Sequence, residues 1–206
     1  MKNLKQIIQE KLIINKNSKV KQQVYNYHPK TRDELKELVD KLIGERGNDA
    51  DLNDIDTSAI TVMSGLFHTS NFKGDISNWD VSNVKYMDNM FFGCKEFNGN
   101  ICHWNVSNVT SMNGMFASCS KFNCDISNWD VSNVTDMGGL FCRCNSFNQD
   151  ISKWKVDQVK NMINLFRECS KFDQDISKWR VSRDCEKDDI FLKCPLQKHP
   201  PKWYKK

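Results

Sequence analysis

The chain is 206 residues long, 39% apolar and 27% charged, with a formal net charge of +4. That length holds one or two domains with a sizeable core. The charge is too small to argue by itself for a nucleic-acid or membrane-surface partner, and no run of about eighteen apolar residues exists to span a bilayer.

In chain order, residues 1–30 read as a basic arm or helix. "MKNLKQIIQEKLIINKNSKVKQQ" scatters apolar residues among Lys, Gln and Glu. It lacks the continuous apolar core and small-residue cleavage site of a secretory leader. Residues 31–54 form a lead-in. Thr31 is followed by Glu34, a capping box, and Leu35, Leu38, Val39, Leu42 and Ile43 make one apolar stripe that Gly44 or Gly47 ends. The pattern predicts an amphipathic helix lying as a lid over the first coil of a repeat stack. A free helix that binds a partner is the competing reading.

Residues 55–194 repeat. Trp79, Trp104, Trp129, Trp154 and Trp179 are each 25 residues apart. Columns in step with them are Val81 to Val181, Met87 to Met162, Phe91 to Phe191, Cys94 to Cys194, Phe97 to Phe172 and Ile101 to Ile176. An earlier copy, "IDTSAITVMSGLF", is one residue short, and the last copy decays after Val181. A 25-residue unit cannot close its own core, but stacked units bury like positions over one another. "DISNW" alternates like a short strand, and "VTDMGGLFCRC" has helical or 3-10 spacing weakened by Gly138 and Gly139. The expected fold is an α/β repeat solenoid of about six coils. Each coil has a short parallel strand and a short helical segment, and the N-terminal helix caps the stack. Residues 195–206, rich in Pro and Lys, read as an extended cap or linker.

The unit, in copies such as "FKGDISNWDVSNVKYMDNMFFGC" and "FNCDISNWDVSNVTDMGGLFCRC", resembles the BspA-like leucine-rich-repeat surface proteins, in their mycoplasma-type branch. The resemblance covers about residues 50–194. It implies a leucine-rich-repeat-like solenoid, a cell-surface location and a role in adhesion or protein binding. It carries no catalytic residues. The family pattern also occurs in large viruses of protists.

The candidate sites each have a plainer reading. The nine cysteines are an odd number without a secretory leader, which points to reduced thiols and a reducing cytosol. Stacked at ~4.8 Å, the cysteine column suits packing better than disulfides or a tetrahedral metal site. The column Asp75, Asn100, Asp125, Asp150, Asp175 and the column Asn98, Asn123, Asn148, Asp173 suit bends that bond neighbouring backbone better than calcium. The sequons at Asn108 and Asn133 fall inside the repeat consensus. The histidines share no constellation, and no nucleophile elbow or phosphate loop is present. No catalytic, cofactor-binding or metal residues are assigned, and no cofactor or small-molecule substrate is expected.

Function in a repeat stack sits on exposed, non-consensus positions. These are His103, Asn128, Lys153 and Lys178 before or near each Trp, and Asp80, Asn105, Asp130, Lys155 and Arg180 after it. The sign turns from acidic to basic along the chain, so a candidate partner-binding face comprises His103, Asn128, Asp130, Lys153, Lys155, Lys178 and Arg180. The favoured class is a monomeric, non-enzymatic protein-interaction module, in adhesion or host interaction. A structural or virion-associated assembly protein is the alternative. A nucleic-acid binder using the basic termini comes third, because the repeats between them mix both signs.

Overall fold

The computed structural model describes residues 24–204. The basic arm expected at 1–30 lies outside them as far as residue 23, as do the last two lysines of the tail.

Hydrogen-bonded turns bend each unit. In the unit starting at Ile126, N–H groups return three residues back: Trp129 to Ile126, Val134 to Val131, Leu140 to Met137, Cys142 to Gly139, Cys144 to Phe141 and Phe147 to Cys144, all at 2.9–3.1 Å. A turn of this kind brings residues i and i+3 close. Apolar residues spaced by three therefore fall on the inner side of a closed loop. The result is one continuous core from Leu35 to Leu196.

Left-handed backbone angles recur in two columns. One is Gly65, Asn89, Gly114, Gly139, Asn164 and Asp189, and the other, four residues on, is Thr69, Gly93, Ser118, Arg143, Glu168 and Lys193. A helix needs consecutive right-handed residues, so a left-handed residue every few positions stops it. The expected α/β solenoid with a strand and a helical segment in each coil is therefore wrong. The described residues hold one α-helix, one 3-10 turn at Pro195–Gln197 and isolated parallel bridges, with no named strand. "DISNW" is a turn closed at Ile126 and Trp129, and "VTDMGGLFCRC" is a run of turns.

The units still lie over one another. Parallel bridges join Val62 to Tyr86, Tyr86 to Ser111, Ser111 to Asp136, Asp136 to Asn161 and Asn161 to Glu186. Alternate N–H groups then donate to the next unit: Met112 to Asp136 (2.9 Å), Gly114 to Gly138 (2.8 Å), Phe116 to Leu140 (3.0 Å) and Ser118 to Cys142 (2.7 Å). Side chains stack with them. Phe91, Phe116, Phe141, Phe166 and Phe191 form a ring column with centroids 5.6–6.1 Å apart and planes within 8°. Such offset pairs contribute about 0.5–1.5 kcal/mol each beyond area burial. Each Trp indole N–H donates to the preceding unit, as Trp129 does to the carbonyl of Ile101 at 3.1 Å.

The one α-helix, α1, spans Arg32–Arg46. Thr31 Oγ1 accepts from the Glu34 N–H, and Gly47 at φ 85° ends the helix with its N–H on Ile43. Leu35, Val39 and Leu42 are buried in the core, and Leu38 and Ile43 pack at its edge. The Arg32 guanidinium donates twice to the Ser64 carbonyl, at 3.0 and 3.1 Å, which ties the start of α1 to the first unit. At the other end the tail turns back. Trp203 stacks on Trp179 at 6.0 Å and donates to the Ile176 carbonyl at 2.8 Å, continuing the indole column one residue out of step. Tyr204 packs edge-on against Phe191.

Candidate interaction face

The turns around each buried Trp push the flanking residues outward. His103, Asn128, Lys153 and Lys178 are exposed in one column, and Asp80, Asn105, Asp130, Lys155 and Arg180 are exposed in the neighbouring one. The structure therefore brings all seven residues of the candidate face onto one side of the stack. A shallow hollow there is lined by Ser152, Lys153, Lys155, Asp157, Lys178 and Arg180. No acid among the described residues lies within ion-pair distance of Lys153, Lys155, Lys178 or Arg180. Alongside the Ser152 and Ser177 hydrogen bonds, Lys153 and Lys178 still help to lower the pKa of the Asp150 and Asp175 carboxyls. Elsewhere on the stack Lys85, Lys95, Lys160 and Lys171 are exposed and also form no ion pair among the described residues, whereas Arg143 and Lys193 pair with Glu168 and Lys121 with Glu96.

The face is not uniform in its duties. Asp80, Asn105 and Asp130 each accept the N–H of the serine two residues on, at 2.9, 3.2 and 3.1 Å. The Ser132 bonds and nearby Lys155 hold the Asp130 carboxyl below the usual carboxylate range. Asp130 is thus a turn residue as well as a surface one. Lys155 and Arg180 stand at the same position and cannot accept, so those two turns go without the bond. His103 and Asn128 make no hydrogen bond among the described residues.

The other marked columns have structural partners. Asp75, Asn100, Asp125, Asp150 and Asp175 each accept the N–H two residues on, as Asp150 does from Ser152 at 2.9 Å. Asn98, Asn123 and Asn148 reach upward instead, each accepting from the backbone of the next unit at 2.8–3.0 Å. Asn108 and Asn133, the sequon asparagines, donate to Ser82 and Ser107 one unit back, both at 2.7 Å. All nine cysteines are free. The column thiols donate to carbonyls of the preceding unit, as Cys144 does to Phe116 at 2.7 Å. Burial pushes the Cys94 thiol up to about 12 and Cys144 and Cys169 well above the ordinary range. No group of three or more His, Cys, Asp or Glu suited to a metal ion occurs among the described residues, and no helix there is long and apolar enough to cross a membrane.

Three features escaped the sequence reading. Trp203 completes the indole column, but its one-residue offset and the preceding prolines hid it. The ion-pair column Arg143–Glu168–Lys193 holds the pKa of the Glu168 carboxyl below normal, chiefly through Arg143. The third is the left-handed column itself, which the recurrence of Gly, Asn and Asp at 65, 89, 114, 139, 164 and 189 spells out. Between Asn89 and Asn164 it floors a shallow trough with Gly114 and Gly139.

No curated protein and no solved structure matches the chain. A family model described as "Mycoplasma protein of unknown function, DUF285" matches residues 33–136 and again residues 100–203, a span that includes α1 from Asp33 onward, every repeat and Trp203. The chain is a repeat protein and belongs to that family.

Proposed function

We propose that the chain is a non-enzymatic protein-interaction module that binds its partner on the face carrying Lys153, Lys155, Lys178 and Arg180. The resemblance to BspA-like surface proteins supports adhesion or host interaction as its setting. The observation that carries the reading is the clustering of four exposed cations around one hollow on one side of the stack. Two of them stand where earlier units use Asp or Asn to stabilise a turn. Each such bond is worth about 0.5–1.5 kcal/mol. A sequence that departs from its own local rule at neighbouring units points to a use for the cations beyond folding.

The sign change supports a polypeptide as partner. Asp80 and Asp130 share the face with Lys155 and Arg180, and a nucleic acid of uniform negative charge meets repulsion at the acidic end. The test is affinity capture from the native host, identification of the captured protein, and titration with the purified pair. Lys153→Glu, Lys155→Glu, Lys178→Glu and Arg180→Glu together should weaken binding at least about tenfold with an unchanged melting temperature. Equal affinity would remove the face from the reading. Capture that disappears on nuclease treatment, with binding that falls steeply with salt, would replace it with nucleic-acid binding.

A further inference from the structure

The two ends of the stack are finished differently. At the N-terminal end α1 lies against the first unit, and Arg32 occupies the Ser64 carbonyl. At the C-terminal end the tail closes the aromatic columns but leaves the main chain open. In the last complete junction, Met162, Asn164, Phe166 and Glu168 donate their N–H groups to Glu186, Asp188, Ile190 and Leu192, at 2.7–3.0 Å. The equivalent donors one unit on are Lys187, Asp189, Phe191 and Lys193. Lys193 donates to Gln197 Oε1 at 2.7 Å. The N–H groups of Lys187, Asp189 and Phe191 meet no acceptor among the described residues. Beside them lies a hollow bounded by Asp189, Phe191 and Leu192 on one side and by Gln197, Pro200 and Tyr204 on the other.

We propose that this edge docks a segment of a partner polypeptide that takes up the same path of turns and adds one further rung to the stack through main-chain hydrogen bonds. The site is separate from the cationic face and does not depend on it. An edge of regularly spaced, unpaired N–H groups is a template for pairing with another chain, and it continues the surface through which the units already join. Charge defines the occupant further. Asp188 and Asp189 are exposed on the edge, and Lys193 follows four residues after Asp189. In the existing junctions Lys193 and Arg143 pair with Glu168, and Arg167 pairs with Asp189. A segment with a basic residue and, four residues later, an acidic one would set a cation over Asp189 and an anion over Lys193.

A synthetic peptide of residues 159–168 carrying Asn164→Lys has that pattern, and its carbonyls at 161, 163, 165 and 167 already accept from the unit beneath in the native stack. The test is amide hydrogen exchange on the full chain, read by NMR. In the free protein the Asp189 and Phe191 amides should exchange about tenfold or more faster than those of Asn164 and Phe166. The peptide should slow them about tenfold, with shifts confined to the last unit and tail. The same peptide with Glu in place of Lys should bind about tenfold more weakly. Asp189→Lys in the protein should reverse that preference, a swap that structural damage alone would not produce. Lys193 occupies the same left-handed backbone at φ 59°, so the stack tolerates lysine there. Equal protection of Asp189 and Phe191 in the free chain, or no response to the peptide, would overturn the proposal. Protection that rises with protein concentration alone would overturn it in favour of a second copy.

Discussion

Gly74 and Gly139 are required for different reasons. A Cβ on Gly74 would lie 2.0 Å from the Ala50 carbonyl oxygen and 2.8 Å from its nitrogen, so backbone must move. A Cβ on Gly139 would meet nothing nearer than 3.9 Å, and the demand there is the backbone angle of +60°. Gly139→Ala should therefore cost about 1–2 kcal/mol from conformation alone. Gly74→Ala should cost more, about 3 kcal/mol. Urea denaturation of the two variants orders them, and the reverse order would contradict the packing described at Ala50. The thiols make a second residue-scale prediction. Cys144 and Cys169 should resist alkylation until the protein unfolds, while the half-buried Cys102, Cys124 and Cys142 label in the native state. Mass spectrometry of the labelled peptides reads both sets. Burial raises the folded pKa of the column above the unfolded value of 9.0, to about 12 at Cys94. The associated stability is fully present below pH 9 and is lost as pH rises toward 12, because there the unfolded state binds fewer protons. The loss per thiol is at most about 1.4 kcal/mol for each pH unit. Denaturation midpoints that fall across that window, with a shallower fall for Cys94→Ala, are the expected result.

At the scale of the element, the turn unit shows what side-chain spacing can and cannot say. The 25-residue period, the inward Trp, Met, Phe and Cys columns and the apolar stripe of α1 could all be read from residue identity, because burial selects side chains position by position. The backbone path could not be read the same way. Apolar residues three and four apart suit a helix, but they suit consecutive i to i+3 turns equally well. The deciding mark was the column Gly65, Asn89, Gly114, Gly139, Asn164 and Asp189, residue types that accept left-handed angles. Its partner column, with Arg143, Glu168 and Lys193, carries no such mark. There the fold imposes the angle against local preference. The candidate face was legible as departures from consensus. The second duty of Asp130 was hidden, because an Asp two residues before a Ser looks the same whether or not it caps a turn. Trp203 gives the prediction at this scale. It is partly buried, stacks on Trp179 and donates to Ile176. Trp203→Ala should lower stability by about 2 kcal/mol and Trp129→Ala, which is buried, by about 3–5 kcal/mol. Chemical denaturation followed by the remaining tryptophans measures both, and a neutral Trp203→Ala would show that the tail does not close the stack.

Taken whole, the molecule is a sum of alike junctions, which makes its length adjustable in whole periods. Removing residues 112–136 joins Ser111 to Met137 and keeps every column in step. The shortened protein should fold cooperatively, with Phe91 now stacked on Phe141 and a smaller dependence of stability on urea. Removing residues 114–136 instead shifts every later column by two positions, and circular dichroism should show that product unfolded. A folded, cooperative product from the second deletion would mean that the column register does not hold the fold together. The hydrogen bonds between units also have a mechanical meaning. They run along the axis of the stack, so a pull on its two ends loads the junctions in series and opens them one after another rather than shearing them together. Each released unit of 25 residues would lengthen the tether by roughly 80 Å, its extended contour less the rise it occupied. Under tension the protein would lengthen in even steps at low force, as an extensible strap does.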